Sequence, residues 1–297
     1  MKNKYMKLLA TLLTIFFVAN IHAQQDLMVS QQIFSRMNIN PAGTGNNNRF
    51  NAFLIGRLQW AGVDNSPKTG LLNFSYYNDP LHSSFGLTVN MDKIGVGNSQ
   101  SNIQAVYAYH IDLNENYILS MGLSGGINIG SFDPQENILR DQEPSASKFV
   151  KDKTTEVSPD FNFGVELTSK RWMVGASLTH MLHTEPTTFK KGRHFYIYAR
   201  TLFELSEMLD IAPMISYVHQ HQINNGEIGA MLFINKTFWG GLTWKPDFGN
   251  FSKMSMMSAT VGIDTKRFSV GYAYSFNIGE YNNLPSNTHE ILLRFHF

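Results

Sequence analysis

The sequence predicts an all-β protein, an up-and-down antiparallel β-barrel of about 14 strands that crosses an outer membrane. Three observations lead to this prediction. Apolar residues alternate with small or polar residues over most of the chain. The segments between the predicted strands alternate in length. The chain begins with an export signal, and no later apolar run suits a membrane-spanning helix, so a membrane form would have to be a barrel.

The export signal is predicted over residues 1–23. Three lysines among the first seven residues form a basic start, an apolar run follows from Leu8 to Val18, and Ala23 is a small residue suited to cleavage. The apolar run is shorter than the ~20 residues of a spanning helix. We therefore expect a signal peptide that is removed after export.

Residues 24–49 form a polar segment between the signal and the first strand. Pro41 and the glycines and asparagines beside it exclude a long helix or a central strand. The segment also carries an apolar stripe at roughly helical spacing, formed by Val29, Ile33, Phe34 and Met37. This stripe favours a lumen plug or a periplasmic contact over a frayed terminus.

Residues 50–297 carry the strand pattern of the barrel itself. The clearest alternation lies at Phe85–Met91, Leu119–Ile129, Phe161–Leu167, Trp172–Leu178, Ile228–Ile234 and Ile291–Phe297. Weaker strands are predicted near 50–60, 69–78, 102–111, 194–204, 210–219, 237–245, 255–263 and 267–278. Each is close to the ~10 residues with which a tilted strand crosses a bilayer. One apolar and one polar face suit lipid outside and a wet lumen inside.

The connections between the predicted strands alternate between short and long along the chain. Short turns are predicted after even-numbered strands, and longer segments after odd-numbered strands, at 61–68, 92–101, 133–158, 184–193, 220–226, 246–254 and 279–287. Outer-membrane barrels show this sorting, with short periplasmic turns and longer external loops. A soluble β-sandwich, the alternative, has no reason to show it. The even strand count places both termini in the periplasm.

The aromatic residues near strand ends are interpreted as interfacial girdles. They are Tyr76, Tyr77, Tyr107, Tyr109, Trp172, Tyr196, Tyr198, Trp239, Trp244, Tyr272 and Tyr274. The inward positions are predicted to be mostly Gly, Ser, Thr and Asn, without the charge rings expected of an ordinary porin.

Composition excludes several classes of function. Charged residues make up 16% of the chain, against about 25% in soluble domains. The absence of cysteine excludes disulfides, zinc held by thiolates and cysteine nucleophiles. A formal net charge of +1 argues against nucleic acid as a partner, since phosphate contacts need a concentrated cationic face.

Catalytic and metal sites are weakly indicated. Residues 122–126 match G-x-S-x-G, but Ser124 is predicted within a strand, whereas a nucleophile elbow needs a strand-turn-helix context. His219 and His221 project to one side of a strand without a third ligand, which makes a weak metal site. We expect no enzyme activity, no metal and no cofactor.

Short signatures along the mature chain match a known family. They begin with Met28–Gln31, Ile39–Gly43, Arg57–Gly62 and Pro67–Thr69. They continue with Gly86–Leu87, Asn90–Gly95, Tyr107–His110, Leu119–Leu123, Pro159–Val165, Trp239–Gly241, Val270–Tyr272 and Thr288–Leu293. On these residues the chain resembles the PorP/SprF family. One departure is Trp244–Lys245, where the family more often has an aromatic followed by Arg.

The resemblance implies an outer-membrane component of the type IX secretion and gliding machinery of Bacteroidetes. It implies a role in exporting or anchoring surface proteins such as adhesins, with periplasmic and motor-ring partners. A porin or a hydrophobic-solute transporter is the alternative, and a barrel enzyme is a distant third.

Two groups of residues are singled out as candidate sites. The first is a partner or structural motif formed by Asn40, Pro41, Arg57, Gln59 and Trp60. Arg57 either fixes the N-terminal segment or a loop, or makes an ordinary salt bridge in the lumen. The second group is Phe295 and Phe297, whose terminal aromatic pattern resembles the signal that barrel assembly machinery reads.

Overall fold

The structure, a computed structural model, describes residues 29–30, 34, 36–45, 49–134, 152–182, 191–220, 223–246, 255–278 and 287–297. The predicted signal, residues 1–23, lies outside the described residues. Within the described part of the chain, no helix is long and apolar enough to cross a membrane.

The described strands form one antiparallel sheet that closes on itself. They are β1 (Phe50–Leu58), β2 (Lys68–Asn78), β3 (Ser83–Ile94), β4 (Asn98–Asn114), β5 (Tyr117–Phe132), β6 (Thr154–Ser169), β7 (Trp172–Thr179), β8 (His194–Thr201), β9 (Phe203–Ser206), β10 (Leu209–Gln220), β11 (Ile223–Ile234), β12 (Phe238–Lys245), β13 (Ser255–Asp264), β14 (Phe268–Ile278) and β15 (Thr288–His296). Both β8 and β9 pair with β10 and are parts of one strand interrupted at Leu202. The barrel therefore has fourteen strands, as the sequence predicted.

The first and last strands close the barrel. β1 pairs with β15 in antiparallel register, with Ala52 opposite Phe295. At the seam Phe50 N donates to Phe297 O at 2.9 Å and Phe297 N donates to Phe50 O at 3.1 Å. Closure pairs the first strand with the last, which a bilayer requires because lipid cannot hydrogen-bond to backbone groups.

Successive side chains along each strand point alternately to the lipid and to the lumen. On β3 Leu87 is 43% exposed while its neighbour Thr88 is 3% exposed. The same contrast separates Ile291 from Glu290 on β15, at 56% and 0%. The alternation read from the sequence therefore describes an apolar outer surface and an inner face rich in polar groups, and the predicted fold class is confirmed.

The two rims of the barrel differ in their connections. One rim, called the short-turn rim, carries residues 79–82, 115–116, 170–171, 207–208, 235–237 and 265–267, and β1 begins and β15 ends there. At the other, called the long-loop rim, residues 59–67 connect β1 to β2, and the longer connections leave from the ends of β5, β7, β12 and β14.

Two of the predicted long connections are wrong. β3 and β4 continue to Ile94 and from Asn98, and β10 ends at Gln220 before β11 begins at Ile223. The polar stretches near 92–101 and 220–226 are therefore mostly strand. Gly95 and Gly97 adopt positive φ angles of 65° and 76°, which lets the chain reverse tightly between β3 and β4.

Four aromatic residues assigned to the girdles instead face the lumen. Tyr77 has the inward parity of Asn73 and Ser75 on β2, and its ring lies 5.4 Å from that of buried His110. Tyr196, Tyr198 and Trp239 are 3%, 7% and 3% exposed. Position near a strand end indicates the height of a side chain in the bilayer, but the parity of the residue decides its face. Tyr107, Tyr109, Trp244 and Tyr272 do lie on the outer, exposed side.

The lumen is also less uniformly small and polar than predicted. Buried apolar side chains come from strands on both sides of the seam and from β11 and β12. They are Phe53, Ile55, Leu71, Met231, Trp239 and Leu292. Buried carboxylates lie at Glu166, Glu227 and Glu290. These groups face the N-terminal segment, whose contacts explain why such side chains are buried inside the barrel.

Candidate functional site in the barrel lumen

The N-terminal segment fills part of the lumen. Its described residues between 29 and 45 are called the plug. Val29 and Ser30 lie in the half toward the long-loop rim, beside β13, β14 and β15. The chain then passes to β5, β6 and β7 in the half toward the short-turn rim, where Asn40 and Ala42 are both 0% exposed. The plug is thus a buried part of the barrel.

Ser30 anchors the part of the plug that lies toward the long-loop rim. Its amide N donates to both carboxylate oxygens of Glu290, at 3.0 and 2.9 Å. Its hydroxyl lies 3.1 Å from Ser258 Oγ and 2.9 Å from Ser275 Oγ. Glu290 also lies 3.4 Å from Arg57 Nε. One carboxylate therefore joins β1, β15 and the plug.

Phe34 forms an aromatic anchor. Its ring lies 4.5 Å from the ring of Trp239, centroid to centroid, at an interplanar angle of 43°. The guanidinium of Arg294 sits 5.6 Å from the Phe34 centroid on another side. Val29 belongs to the same apolar cluster. Such ring contacts contribute about 0.5–1.5 kcal/mol beyond the burial of area.

Arg36 and Glu166 form a buried, two-pronged ion pair. Arg36 Nε donates to Glu166 Oε2 at 3.0 Å, and Nη2 donates to Oε1 at 3.3 Å. The Tyr198 hydroxyl and Thr168 Oγ1 donate to the same carboxylate. Burial alone would lower the pKa of Arg36, but Glu166 and Tyr198 outweigh it and raise the pKa, so the guanidinium stays charged. A pair without these extra hydrogen bonds would be costly to bury.

Asn40 ties the plug to the barrel wall through its side chain. Its Oδ1 accepts from Ala42 N at 2.9 Å and caps the short 3-10 turn Pro41–Gly43. Its Nδ2 lies within 3.3 Å of the backbone oxygens of Val165 and Ala176 and 3.1 Å from the Tyr198 hydroxyl. Ser177 Oγ donates to the Ile39 carbonyl beside it.

Two glycines of the wall make room for this turn. A Cβ at Gly164 would lie 2.0 Å from Asn40 Oδ1, and a Cβ at Gly122 would lie 2.2 Å from Ala42 N. Atoms that are not bonded cannot approach so closely, so any other residue would push the plug away from β5 and β6. The G-x-S-x-G match at 122–126 thus begins with a glycine that packs against the plug.

A second polar region lies on β4, β5 and β6, toward the long-loop rim, and is called the polar network. It comprises Asn102, Gln104, Ser124, Asn128, Asp160, Asn162 and His180. Asp160 Oδ2 lies 2.8 Å from Asn102 Nδ2, 2.6 Å from Gln104 Nε2 and 2.9 Å from His180 Nδ1. Gln104 Oε1 in turn accepts from Ser124 and Asn162. The hydroxyl of Ser124 is therefore used in a structural hydrogen bond within a strand.

The predicted partner motif is divided between two places. Asn40 and Pro41 lie in the lumen against β5, β6 and β7. Arg57 on β1 instead lies beside Glu290, which binds Ser30 of the plug. Gln59 and Trp60 instead open the 59–67 loop, where Trp60 is 39% exposed and has a positive φ of 56°. The role of this motif toward partners stays a prediction.

The other predicted candidates lie apart from the plug. Phe295 and Phe297 are 57% and 71% exposed on the outer side of the last strand, and their role in assembly stays a prediction. His219 Nδ1 lies 2.7 Å from Asn224 Oδ1, and His221 lies outside the described residues. Among the described residues, no group of three histidines or carboxylates could hold a metal ion.

The sequence prediction missed the wall residues that hold the plug, chiefly Glu166, Tyr198 and Glu290. For the two glutamates, the sequence did contain a usable signal. A carboxylate at an inward position in the middle of a membrane strand is expensive to bury unless it has a partner. Such residues could have been matched with Arg36 and Arg57. Nothing in the sequence near Tyr198 distinguishes it from a girdle tyrosine.

Comparison with known proteins agrees with this architecture. The solved outer membrane protein Omp33 of Acinetobacter baumannii is similar, with a TM-score of 0.52 at 11% identity, over 84% of this chain and 98% of that one. The CymD monoaromatic hydrocarbon channel is similar with a TM-score of 0.52 at 10% identity, over 93% of each chain. These likenesses show the barrel fold. No curated protein sequence matches the chain.

A family model decides the membership of the chain. The model described as type IX secretion system membrane protein PorP/SprF matches residues 21–295. That range includes the plug, every strand of the barrel and both anchoring carboxylates of the lumen. A barrel of this family with an apolar outer surface fits the outer membrane. The chain therefore belongs to the PorP/SprF family of type IX secretion system membrane proteins.

Proposed function

We propose that this protein supports the export or surface anchoring of secreted proteins, such as adhesins, as a plugged barrel of the type IX secretion system. In this role the rims and the outer surface of the barrel bind the other components, and the lumen does not serve as a channel. Family membership supports the involvement in type IX secretion. The proposal adds secreted cargo as a partner, together with periplasmic and motor-ring components of the system.

The observation that carries the proposal is the plug itself. Contacts from Ser30, Phe34, Arg36 and Asn40 reach β6, β8, β12 and β15, so the plug touches opposite sides of the lumen. A channel for solutes needs an open path, whereas a docking platform needs a rigid body. The buried ion pair and the capped turn favour rigidity.

The short-turn rim is the side for periplasmic partners in this proposal. Both ends of the barrel wall, β1 and β15, lie at that rim, and short turns face the periplasm in outer-membrane barrels. The long-loop rim then faces the cell surface, where exported cargo arrives. Gln59 and Trp60 lie at this surface rim, so we place their predicted partner role on the cargo side.

The test compares a full deletion with the double variant Asn40→Ala/Pro41→Ala. Asn40 is fully buried, so the variant acts by loosening the plug and leaves the outer surfaces unchanged. We expect normal barrel abundance and normal heat-modifiable migration on a gel, together with loss of surface display of the cargo. Uptake of small solutes is measured in the same cells.

A matched control is Asn114→Ala at the β4–β5 turn. Its side chain only accepts a hydrogen bond from Asn116 N in an exposed turn, so display is expected to stay normal. Unchanged display in both the full deletion and the double variant, with impaired solute uptake, would refute the secretion proposal. That result would favour the alternative, a porin or hydrophobic-solute transporter.

A further inference from the structure

A cavity of about 420 Å³ lies between the plug and strands β7, β8 and β10. Part of this space is continuous with solvent, and small-molecule sites usually combine apolar walls with a few polar groups. Ile39 of the plug and Met173 and Met214 of the wall supply apolar surface here. The polar groups of the lining come from Arg36, Tyr198, Arg200, Ser216 and Glu227. Arg36 and Tyr198 also bind Glu166 and help to hold the plug, so the cavity borders that anchor.

The sheet register places Arg200 in the middle of this surface. It lies opposite Met173 on β7 and opposite Met214 on β10. Tyr198 and Ser216 form the next inward pair along the same strands. Arg200 therefore lies between two methionines, whose unbranched side chains adapt to irregular ligands.

Arg200 forms no hydrogen bond or ion pair with the residues that the structure describes. Glu166 attracts it through space, while Arg36 repels it. The oxygens of Glu166 already accept from Arg36, Tyr198 and Thr168. A half-buried guanidinium with no partner among the described residues is costly, and a neighbouring cation adds to that cost.

The charges around the cavity leave one positive charge in excess. Arg36 is paired with Glu166, and Lys245 is paired with Glu227 at 3.5 Å. Arg200 is the third cation beside these two carboxylates, so the local sum is three positive and two negative charges. One bound monoanion would neutralise the site.

We propose that this cavity binds a monocarboxylate with a short apolar chain. The carboxylate accepts hydrogen bonds from Arg200, whose planar guanidinium suits two-pronged recognition. The chain lies against Ile39, Met173 and Met214. The proposal goes beyond the role in secretion, since it assigns a small ligand to the space between plug and wall. It also makes the seating of the plug sensitive to that ligand, because Ile39 belongs to both.

The test uses thermal unfolding of the mature protein in lipid nanodiscs. The probes are sodium octanoate, sodium acetate and octanol. A ligand that binds only the folded state raises Tm with the logarithm of its concentration. We expect octanoate to raise Tm, and we expect acetate and octanol to have much smaller effects, because each lacks either the chain or the charge.

Three variants assign the effect to the site. Arg200→Gln is expected to abolish the octanoate shift, and Arg200→Lys to keep part of it. Arg171→Gln removes an exposed arginine, 69% accessible in its side chain, and is expected to keep the full shift. Without ligand, Arg200→Gln is expected to unfold at the same or a higher temperature than the parent, since it removes an unpaired charge.

Several outcomes would overturn the proposal. The first is no octanoate shift in the parent protein. The second is an equal shift in Arg200→Gln, which would point to an effect on the bilayer. The third is an equal shift with acetate or octanol. A lowered Tm of ligand-free Arg200→Gln would assign Arg200 a structural role instead.

Discussion

The plug contacts and the polar network are both buried, polar regions of one lumen, yet they are built differently. The polar network joins side chains of neighbouring strands, such as Asn102 and Asn128, across β4 and β5. The plug contacts join segments far apart in the chain, as between Arg36 and Glu166. The hydrogen bonds described for the network thus lie within the wall and the residue that follows β7. The plug contacts depend on a segment that has to be held in place.

This difference indicates how the lumen would respond to loss of the plug. The polar network keeps its own hydrogen bonds and only gains water. Glu166 and Glu290 would lose donors from the plug, and Trp239 would lose the ring of Phe34. Stability of the wall and seating of the plug are thus separable properties, and single substitutions can distinguish them.

The largest effect is expected for Arg36→Met. It leaves Glu166 buried without its cation, and breaking a buried pair from one side costs about 3–5 kcal/mol. The free energy of unfolding in urea, measured in lipid vesicles, checks this. Adding Glu166→Leu is expected to restore most of the loss, because both members of the pair are then replaced by apolar side chains. A double variant as unstable as the single one would contradict the ion-pair explanation.

A smaller effect is expected for Leu87→Arg on the outer face of β3. Arginine facing lipid near the bilayer midplane costs about 2–4 kcal/mol. Asn90→Arg on the opposite face is expected to cost much less, because its head reaches the polar end of the lumen. Unfolding free energies of the two variants in the same vesicles provide the measurement. Equal tolerance would mean that the assignment of faces, on which both lumen regions depend, is wrong.

A still smaller loss of stability is expected for Gln104→Ala in the polar network. Ser124 and Asn162 lose their common acceptor, and Asp160 keeps Asn102 and His180 as donors. The loss of a buried hydrogen-bond partner costs about 1–3 kcal/mol. Because the network does not touch the plug through these groups, protease access to the plug is expected to stay unchanged. Increased cleavage of the plug would show that the two regions are coupled.

The smallest effect is expected for Ser30→Ala. The hydroxyls of Ser258 and Ser275 keep their mutual hydrogen bond of 2.7 Å, and the Ser30 amide keeps Glu290. A loss of about 0.5–1.5 kcal/mol is expected. Here protease access to the plug is expected to rise while urea unfolding of the wall barely changes. A loss as large as that of Arg36→Met would place the main anchor at Ser30.

The sequence predicted the barrel well because the fold depends on a local pattern. Alternation at positions such as Leu87 and Thr88 reports directly on lipid and lumen, and closure follows from the strand count. Connection lengths were harder to predict. Polar stretches such as 92–101 serve equally as loops or as strand ends beyond the bilayer, and only the glycine pair at 95 and 97 indicates the tight turn.

The candidate site was less predictable because its contacts are long-range. Trp239 lies inward to meet Phe34, and Tyr198 lies inward to meet Glu166 and Asn40. No local pattern links residue 34 to residue 239. Asn40, Pro41 and Arg57 were found through the family resemblance, which marks important positions without giving their contacts. That Arg200 has no ion-pair partner among the described residues depends on the three-dimensional positions of the other charges, which no sequence pattern gives.

The path of the plug also bears on how fast the chain reaches its native state. Ser30 and Glu290 are separated by 260 residues, and loops of that length close late and slowly. The seam between Phe50 and Phe297 joins nearly the same parts of the chain. Once that seam has formed, residue 30 could reach its place only by threading up the lumen. We therefore expect the plug to be seated before or during the meeting of β1 and β15, so that the rate-limiting step of folding captures the plug and completes the wall together.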